Sequence, residues 1–406
     1  MQNKAIPTIE ALSKGTYGCI LQNGPSCQGK QESPEYVTKI QLTNKVSKNE
    51  QNISNKIMGI VSYSNYFAPI IESCEVSLST IDKDVLSKCE ITNVNNKNGK
   101  YESNKIKYVG KKTLADYLSY ILTSSKGSGI FLNTFVNNNI RLLEGIEMLN
   151  SAGIIHHDIK NNNIMCREDG RPIIIDYGLA IDTTLFGNAE YNYKDAFGIY
   201  DPVYGPWCID MFIITYILNK KNKEKQEEVV TMFEMEKVLN EYINKNSAIN
   251  VILDSREKLL YTANLKSYFN QFEKNYSTWK IVLDELLKCK GTWDNYALAV
   301  VYLQLFSLLE LEQYAIEHDK MGEYNKVFKQ IVMAMPGERP TPTDTKTIIS
   351  NIFGKVSRQD TKKIIRKMSK SKTPESAANL QKQLALATLT DMEQSKLVYA
   401  GASRSH

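Results

Sequence analysis

Two short stretches hold residues whose types and spacing could do chemistry. GIIHHDIKNNNIM (153–165) places Asp158, Lys160 and Asn163 close together, and IIIDYG (173–178) adds Asp176, eighteen residues after Asp158. A carboxylate such as Asp158 can accept a hydroxyl proton. A cation two residues on can offset charge building on a transferred anionic group. Asn163 and Asp176 offer the oxygen ligands that a hard divalent cation prefers. Together these are the parts that phosphoryl transfer needs, since that reaction asks for positioning and charge neutralisation more than covalent work. Any one of these residues alone reads as an ordinary turn residue. The weight lies in the group.

Such loops need elements to hold them. Residues 5–80 read as short β runs, among them EYVTKIQL (35–42) and FAPIIESCEVSL (67–78). Apolar residues at Val46, Ile53, Ile57 and Ile60 suit a helix across 44–60, and the Asn/Lys-rich run 82–104 reads as a surface loop. After KIKYVG (105–110) the pattern turns helical. Leu114–Leu122 is amphipathic, SSKGSG (124–129) is a linker, and apolar residues from Phe131 onward predict a long helix to Ser151, ended by Gly153. Further helical patterns rich in Lys and Glu fill 208–290. The expected class is α+β: a small β-rich lobe, a larger helical lobe and a cleft between them.

The totals fit two soluble lobes. The chain has 406 residues, 42% hydrophobic and 23% charged, with a formal net charge of +5 that demands no anionic partner. Abundant Lys, Asn, Ile and Tyr point to an AT-rich genome. The apolar run Ala297–Leu309 is too short to span a membrane and contains Gln304 and Ser307, so a buried helix is expected there. The first residues lack the apolar region of a signal peptide. Seven cysteines without a CxxC or Cys/His cluster predict reduced thiols and a cytosolic setting.

The run His156-His157-Asp158-Ile159-Lys160-Asn161-Asn162-Asn163, followed by Asp176-Tyr177-Gly178, resembles the eukaryotic protein kinase family, whose pattern is H-R-D-x-K-x-x-N and then D-F-G. The resemblance implies a bilobal kinase-like fold and transfer of the ATP γ-phosphate to protein hydroxyls. Asp158 and Lys160 would be catalytic. Asn163 and Asp176 would hold Mg²⁺, with Mn²⁺ an alternative. Lys two residues after the Asp goes with the Ser/Thr branch. LSKGTYGCI (12–20) is similar to the family's Gly-rich hairpin, with Gly15, Gly18 and Ile20 over the nucleotide, although Ser13 stands in the first Gly place. Tyr36-Val37-Thr38-Lys39 looks like its V-A-I-K strand, so Lys39 would grip the phosphates and Val37 the adenine. Glu50 is the candidate partner of Lys39, against the plainer reading of a solvated helix Glu. KIKYVGKKTLADYL (105–118) looks like the hinge, where Ile106 would guard the back pocket, Lys107 and Val109 would meet the adenine edge, and Met165 would lie under the ring. The domains implied are a lobe of 1–109, a lobe of 110–352 with a helical insertion about 183–290, and a basic tail of 353–406.

Departures matter too. His157 replaces the Arg of H-R-D, which casts doubt on activation by loop phosphorylation at Thr183, Thr184, Tyr191 or Tyr193; a protonated His157 could still meet a phosphate at low pH. Tyr177 replaces Phe. No Ala-Pro-Glu follows, and YDPVYGPW (200–207) stands there, so the partner of Arg339 in ERPT (338–341) is missing or replaced. Two carboxylates compete to brace the catalytic loop: Asp294 has the better local pattern and Asp210 the more usual distance. The rival readings are a pseudokinase scaffold and a small-molecule phosphotransferase of related fold. Lys355, Arg358, Lys362, Lys363, Arg366, Lys367, Lys370 and Lys372 make a basic tail that reads as a solvated helix face or as a site for nucleic acid, an anionic membrane or an acidic partner. The insertion, the missing Ala-Pro-Glu and the AT-rich composition are similar to kinases of large cytoplasmic DNA viruses, which implies host cytoplasm or virions.

Overall fold

The computed structural model describes residues 9–14, 18–27, 29, 33–89, 99–124, 130–311, 319–353 and 382. Five antiparallel strands form one sheet in the order β1-β2-β3-β5-β4. They are β1 (Glu10–Lys14), β2 (Gly18–Gln22), β3 (Tyr36–Leu42), β4 (Ile70–Val76) and β5 (Tyr101–Lys107). The central strand β3 buries Val37 through Gln41. Helix α1 (Lys45–Met58) begins at Asn44, whose side chain accepts the Ser47 N–H while the Ser47 hydroxyl accepts the Asn44 N–H. That reciprocal cap fixes the start of the helix. Its inner face then buries Glu50, Ile53 and Ile57.

The 82–104 stretch departs from the expected loop. It holds helix α2 (Lys83–Ser87) and the first residues of β5. Cys89 there is buried and bonded to Cys19, and Cys27 is bonded to Cys74. The expectation of reduced thiols is therefore corrected at four of seven cysteines; Cys166, Cys208 and Cys289 are free. The reason is topological. Register brings Cys19 on β2 and Cys74 on β4 to partners 70 and 47 residues away, which local spacing cannot show. Among the described residues, the small lobe's own apolar cluster comprises Cys19, Leu21, Ile40, Ile81, Cys89 and Tyr101 with a partly buried fringe. A core that small gains much from covalent staples.

The larger lobe carries helices α3 (Leu114–Thr123), α4 (Phe131–Ser151), α5 (Tyr193–Phe197), α6 (Ile209–Lys220), α7 (Lys223–Gln226), α8 (Met232–Lys245), α9 (Ser247–Ile252), α10 (Ser255–Lys274), α11 (Trp279–Leu287), α12 (Trp293–Leu308), α13 (Asp319–Met333) and α14 (Pro342–Phe353). Short strands β6 (Lys112–Thr113), β7 (Ile154–Ile155), β8 (Ile164–Cys166), β9 (Pro172–Ile174) and β10 (Ile181–Asp182) stitch its upper surface as a β6-β8-β9 sheet and a β10-β7 pair. One continuous apolar core runs from Ile53 and Ile57 of α1 through α4 to Trp207, Phe212 and Phe306. Helix α12 is buried nearly all round, as an apolar run of that length should be. No helix among the described residues is long and apolar enough to cross a membrane.

Candidate active site

The short strands set the chemistry. Residues 156–163 lie between β7 and β8, and Asp176 follows β9, so the two loops emerge side by side. His157 and Asp176 take left-handed backbone angles, φ 67° and 64°. Non-glycine residues hold such angles only when their surroundings over-determine them. Here the restraint is visible. Asp294, at the start of α12, accepts the backbone N–H of His156 at 2.6 Å and of His157 at 2.9 Å. Between the two competing carboxylates, then, Asp294 braces the loop. Asp210 does something else. It takes a two-point ion pair from Arg339, at 2.9 and 3.1 Å, and the Trp293 indole N–H at 3.2 Å, with both charged side chains wholly buried. Asp210 on α6 is thus the partner of Arg339 that the sequence left open.

Asp158 lies at the centre of the loop and is wholly buried. Lys160 Nζ reaches both its carboxylate oxygens at 3.0 and 2.9 Å, and Asn163 Nδ2 donates to its Oδ2 and its backbone carbonyl at 2.9 Å. Burial raises the Asp158 pKa, against the pull of Lys160. The remaining donor is the Tyr204 hydroxyl, which bonds Oδ1. Tyr204 sits in the YDPVYGPW stretch and was not singled out from the sequence. Nothing local marks it; only the chain's path back over the catalytic loop does. Trp207 of the same stretch donates its indole N–H to the His157 carbonyl at 3.2 Å and stacks on the His157 ring at 5.0 Å.

A second group of charges joins the small lobe to Asp176. Lys39 on β3 bonds Glu50 of α1 at 2.7 and 2.9 Å and Asp176 at 3.1 Å. The shorter-than-usual interval from Lys39 to Glu50 still lets α1 turn its carboxylate inward, where it is 2% exposed rather than solvated. Burial disfavours the Lys39 charge, but Asp176 and Glu50 outweigh it and hold its pKa above the ordinary value. Burial pushes Glu50 up against the pull of Lys39. Asp176 is held low: Lys39 and Lys160 overcome its burial and keep it ionised.

The remaining predicted residues surround this charge centre. A side chain at Gly18 would meet the Lys39 Cε at 3.1 Å and Cγ at 3.2 Å, so glycine keeps β2 close to the ammonium. Ile20 faces Lys39 across the ladder, and Val37 faces Ile106. Met165 lies on β8, opposite Thr113 and Ile173. Lys107 closes β5 with an exposed side chain bound to Glu35 at 2.9 Å, and Val109 follows the strand. Gly15 and the basic tail lie outside the described residues. For a divalent cation the fit is good: the Asn163 amide oxygen and the Asp176 carboxylate are hard oxygen donors from two adjacent loops. A pair of this kind, completed by phosphate and water oxygens, suits Mg²⁺.

One expectation about His157 needs correction. Its ring is packed between Trp207 and Phe197 and is 4% exposed. Burial pushes its pKa down to about 3, so it stays neutral and cannot dock a phosphate at physiological pH. The segment after Asp176 is tied down by unphosphorylated groups instead, through one ion pair to α1 and neutral contacts. Thr183 donates to the Gly153 carbonyl at 3.0 Å, Lys56 pairs with Asp182 and reaches the Thr184 hydroxyl at 3.0 Å, and Phe186 packs against Tyr191 and Tyr193.

A small sheet over a helical lobe, with a Lys–Glu pair above and an Asp–Lys–Asn loop below, is the architecture of a phosphotransferase built like protein kinases. Residues 10–195 match the protein kinase domain family. A stretch of 63 residues is 38% identical to Serine/threonine-protein kinase PKH3 of Saccharomyces cerevisiae, covering 15% of this chain and 7% of that protein. A stretch of 73 residues is 37% identical to Mitogen-activated protein kinase mpkC of Aspergillus niger, covering 18% of each chain. The matches thus span less than a fifth of these relatives. Residues 10–195 are thus those of a eukaryotic-type protein kinase domain.

Proposed function

We propose that this chain is an Mg·ATP-dependent protein kinase acting on Ser and Thr hydroxyls, and that it works without phosphorylation of its own loop. The observation that carries the reading is the simultaneous assembly of Lys39–Glu50–Asp176 and Asp158–Lys160–Asn163 in one structure. Mg²⁺, when bound, neutralises phosphate charge. Asn163 and Asp176 would hold it. Lys39, fixed by Glu50, orients the phosphates. Asp158 positions the acceptor hydroxyl and receives its proton as the oxygen bonds to the γ-phosphorus and ADP departs. Lys160 offsets charge on the transferring group. The Ser/Thr assignment rests on Lys160 and on the names of the two short relatives. Phosphate independence rests on the neutral, buried His157 and on the neutral anchors of the loop. The two disulfides remove the ground for expecting a reducing compartment.

The test is transfer of labelled γ-phosphate from Mg·ATP to a generic Ser/Thr protein, beside Asp158→Asn and Asp176→Ala. Both variants are expected to lose activity by hundreds-fold or more. Wild-type protein that binds Mg·ATP yet transfers nothing refutes the reading. Prior phosphatase treatment is expected to leave activity unchanged, and a large loss refutes the phosphate-independent part.

A further inference from the structure

The inserted helices reach the catalytic carboxylate through a chain of hydrogen bonds. At the α8–α9 junction, Asn246 is 1% exposed and caps α9 by accepting the Ile249 N–H at 3.0 Å. Its Nδ2 points the other way and donates to the Tyr204 carbonyl at 3.0 Å and the Trp207 carbonyl at 3.4 Å. Around it the same stretch is gripped three more times. The Ser247 N–H donates to the Val203 carbonyl at 3.0 Å, the Tyr242 hydroxyl to the Trp207 carbonyl at 3.3 Å, and the Tyr200 hydroxyl to Glu241 at 2.6 Å. The approach is tight: a side chain at Gly205 would come within 2.8 Å of the Ser247 hydroxyl. From this anchored stretch the Tyr204 hydroxyl bonds Asp158, and its ring packs edge-on against Trp207, which itself holds the His157 carbonyl.

We propose that Tyr204 is a positioning residue for Asp158, and that Asn246 at the α8–α9 junction holds Tyr204 in place. This rests on the kinase reading above and deepens it. It names what orients the catalytic carboxylate where a phosphate-docking arginine is absent. The physical reason is that a buried carboxylate held only by Lys160 and Asn163 loses part of that hold when Lys160 turns to a phosphate. The phenol is a neutral donor with no reason to leave, and its ring is fixed by Trp207. The helices of the insertion thereby act on the chemistry without touching substrate.

The experiment compares wild type with Tyr204→Phe, Asn246→Ser and the double variant. Serine keeps an oxygen to cap α9 but is one atom too short to bring a donor to the Tyr204 carbonyl as the amide does. Each single variant is expected to lower kcat by about ten- to a hundredfold, the range for losing one hydrogen bond to a charged group. The Kd for Mg·ATP should stay within about twofold, because Lys39 and its partners are untouched. The double variant should fall little below Tyr204→Phe, since both act along one path. A Tyr204→Phe enzyme with wild-type kcat overturns the proposal. One with higher kcat also overturns it and makes the tyrosine a block on Asp158. A separate cycle of Tyr204→Phe and Asp158→Asn, read by thermal unfolding, does not depend on activity. Non-additive Tm shifts support the contact, and additive shifts overturn it even in a protein that transfers no phosphate. Loss of transfer in wild type with a coupled cycle sinks the kinase reading alone.

Discussion

The two halves of the site share a lysine–carboxylate pair but differ in what surrounds it. Lys39 is held by charge: two carboxylates surround it, and one of them, Asp176, belongs to the other lobe and keeps 34% of its side chain exposed. Asp158 pairs with one cation, Lys160, and is held besides by directional hydrogen bonds from the neutral Asn163 and Tyr204, with no exposed surface of its own. In the proposed reading, the half that would admit a nucleotide is built from contacts that ions can rearrange. The half that would present one oxygen at one angle adds to its ion pair directional bonds from neutral donors. The lobes that carry them differ in the same sense. The upper one has a small apolar cluster and two bridges, and the lower one a continuous core.

The largest effect expected from breaking this contrast is on the upper lobe. Closing loops of 70 and 47 residues, each bridge should contribute about 4 kcal/mol by limiting the unfolded chain. Reductant should therefore lower Tm and do so first in the β-sheet lobe, seen as loss of amide protection there. Alkylation of the denatured, unreduced chain should label Cys166, Cys208 and Cys289 alone. Labelling of all seven cysteines without reductant would remove the staples from the account.

Next in size is the lower lobe's buried ion pair. Arg339→Ala leaves Asp210 charged and without its cation in an apolar setting, which should cost about 3–5 kcal/mol. Equilibrium denaturation measures it. A smaller loss from Arg339→Met would fit, because methionine fills space while still stranding the carboxylate. A loss under about 1 kcal/mol for Arg339→Ala would mean that Asp210 finds water or another donor. Glu50→Gln should act on activity rather than fold. It keeps shape and one acceptor but removes the charge that pins Lys39, so kcat/KM should fall about ten- to a hundredfold with Tm nearly unchanged. Unchanged kcat/KM would show that Asp176 alone suffices to place Lys39.

How far this arrangement could be read in advance depended on what each residue answers to. Asp158, Lys160, Asn163 and Asp176 answer to loop chemistry at fixed spacing, so short motifs reveal them. Helix α4 answers to apolar periodicity, and Phe131–Ser151 is where that period runs. The pattern around Asp294 was enough to prefer it over Asp210, because a brace at a helix start has a local signature. Asp210 as the partner of Arg339, Tyr204 over Asp158 and the two disulfides answer to tertiary register. They join positions 129, 46, 70 and 47 residues apart, and no periodicity connects such pairs. His157 was read as a titratable group because its type suggests one; its burial against Trp207 and Phe197 is a property of the fold.

The effect of that histidine is smallest near neutral pH and grows only on acidification, and it sharpens the contrast from the lower side. The His157 pKa is depressed in the fold to about 3 from an ordinary 6.5. Below pH 6.5 the unfolded chain binds a proton that the native ring refuses. The stability it confers is thus fully present above the unfolded value and is lost as pH falls toward 3. The slope approaches about 1.4 kcal/mol per pH unit in that window. His156 is also depressed by burial and adds in the same direction, so the wild-type slope belongs to both rings. His157→Phe keeps an aromatic ring against Trp207 and has no proton to gain. Its denaturation free energy should therefore decline less steeply than wild type between pH 6.5 and 4, with the two curves closest at the acid end. Parallel curves would mean that the ring takes up a proton in the native state. The closed shell around Asp158 would then be more open to water than its burial indicates, and the difference between the two halves of the site would shrink.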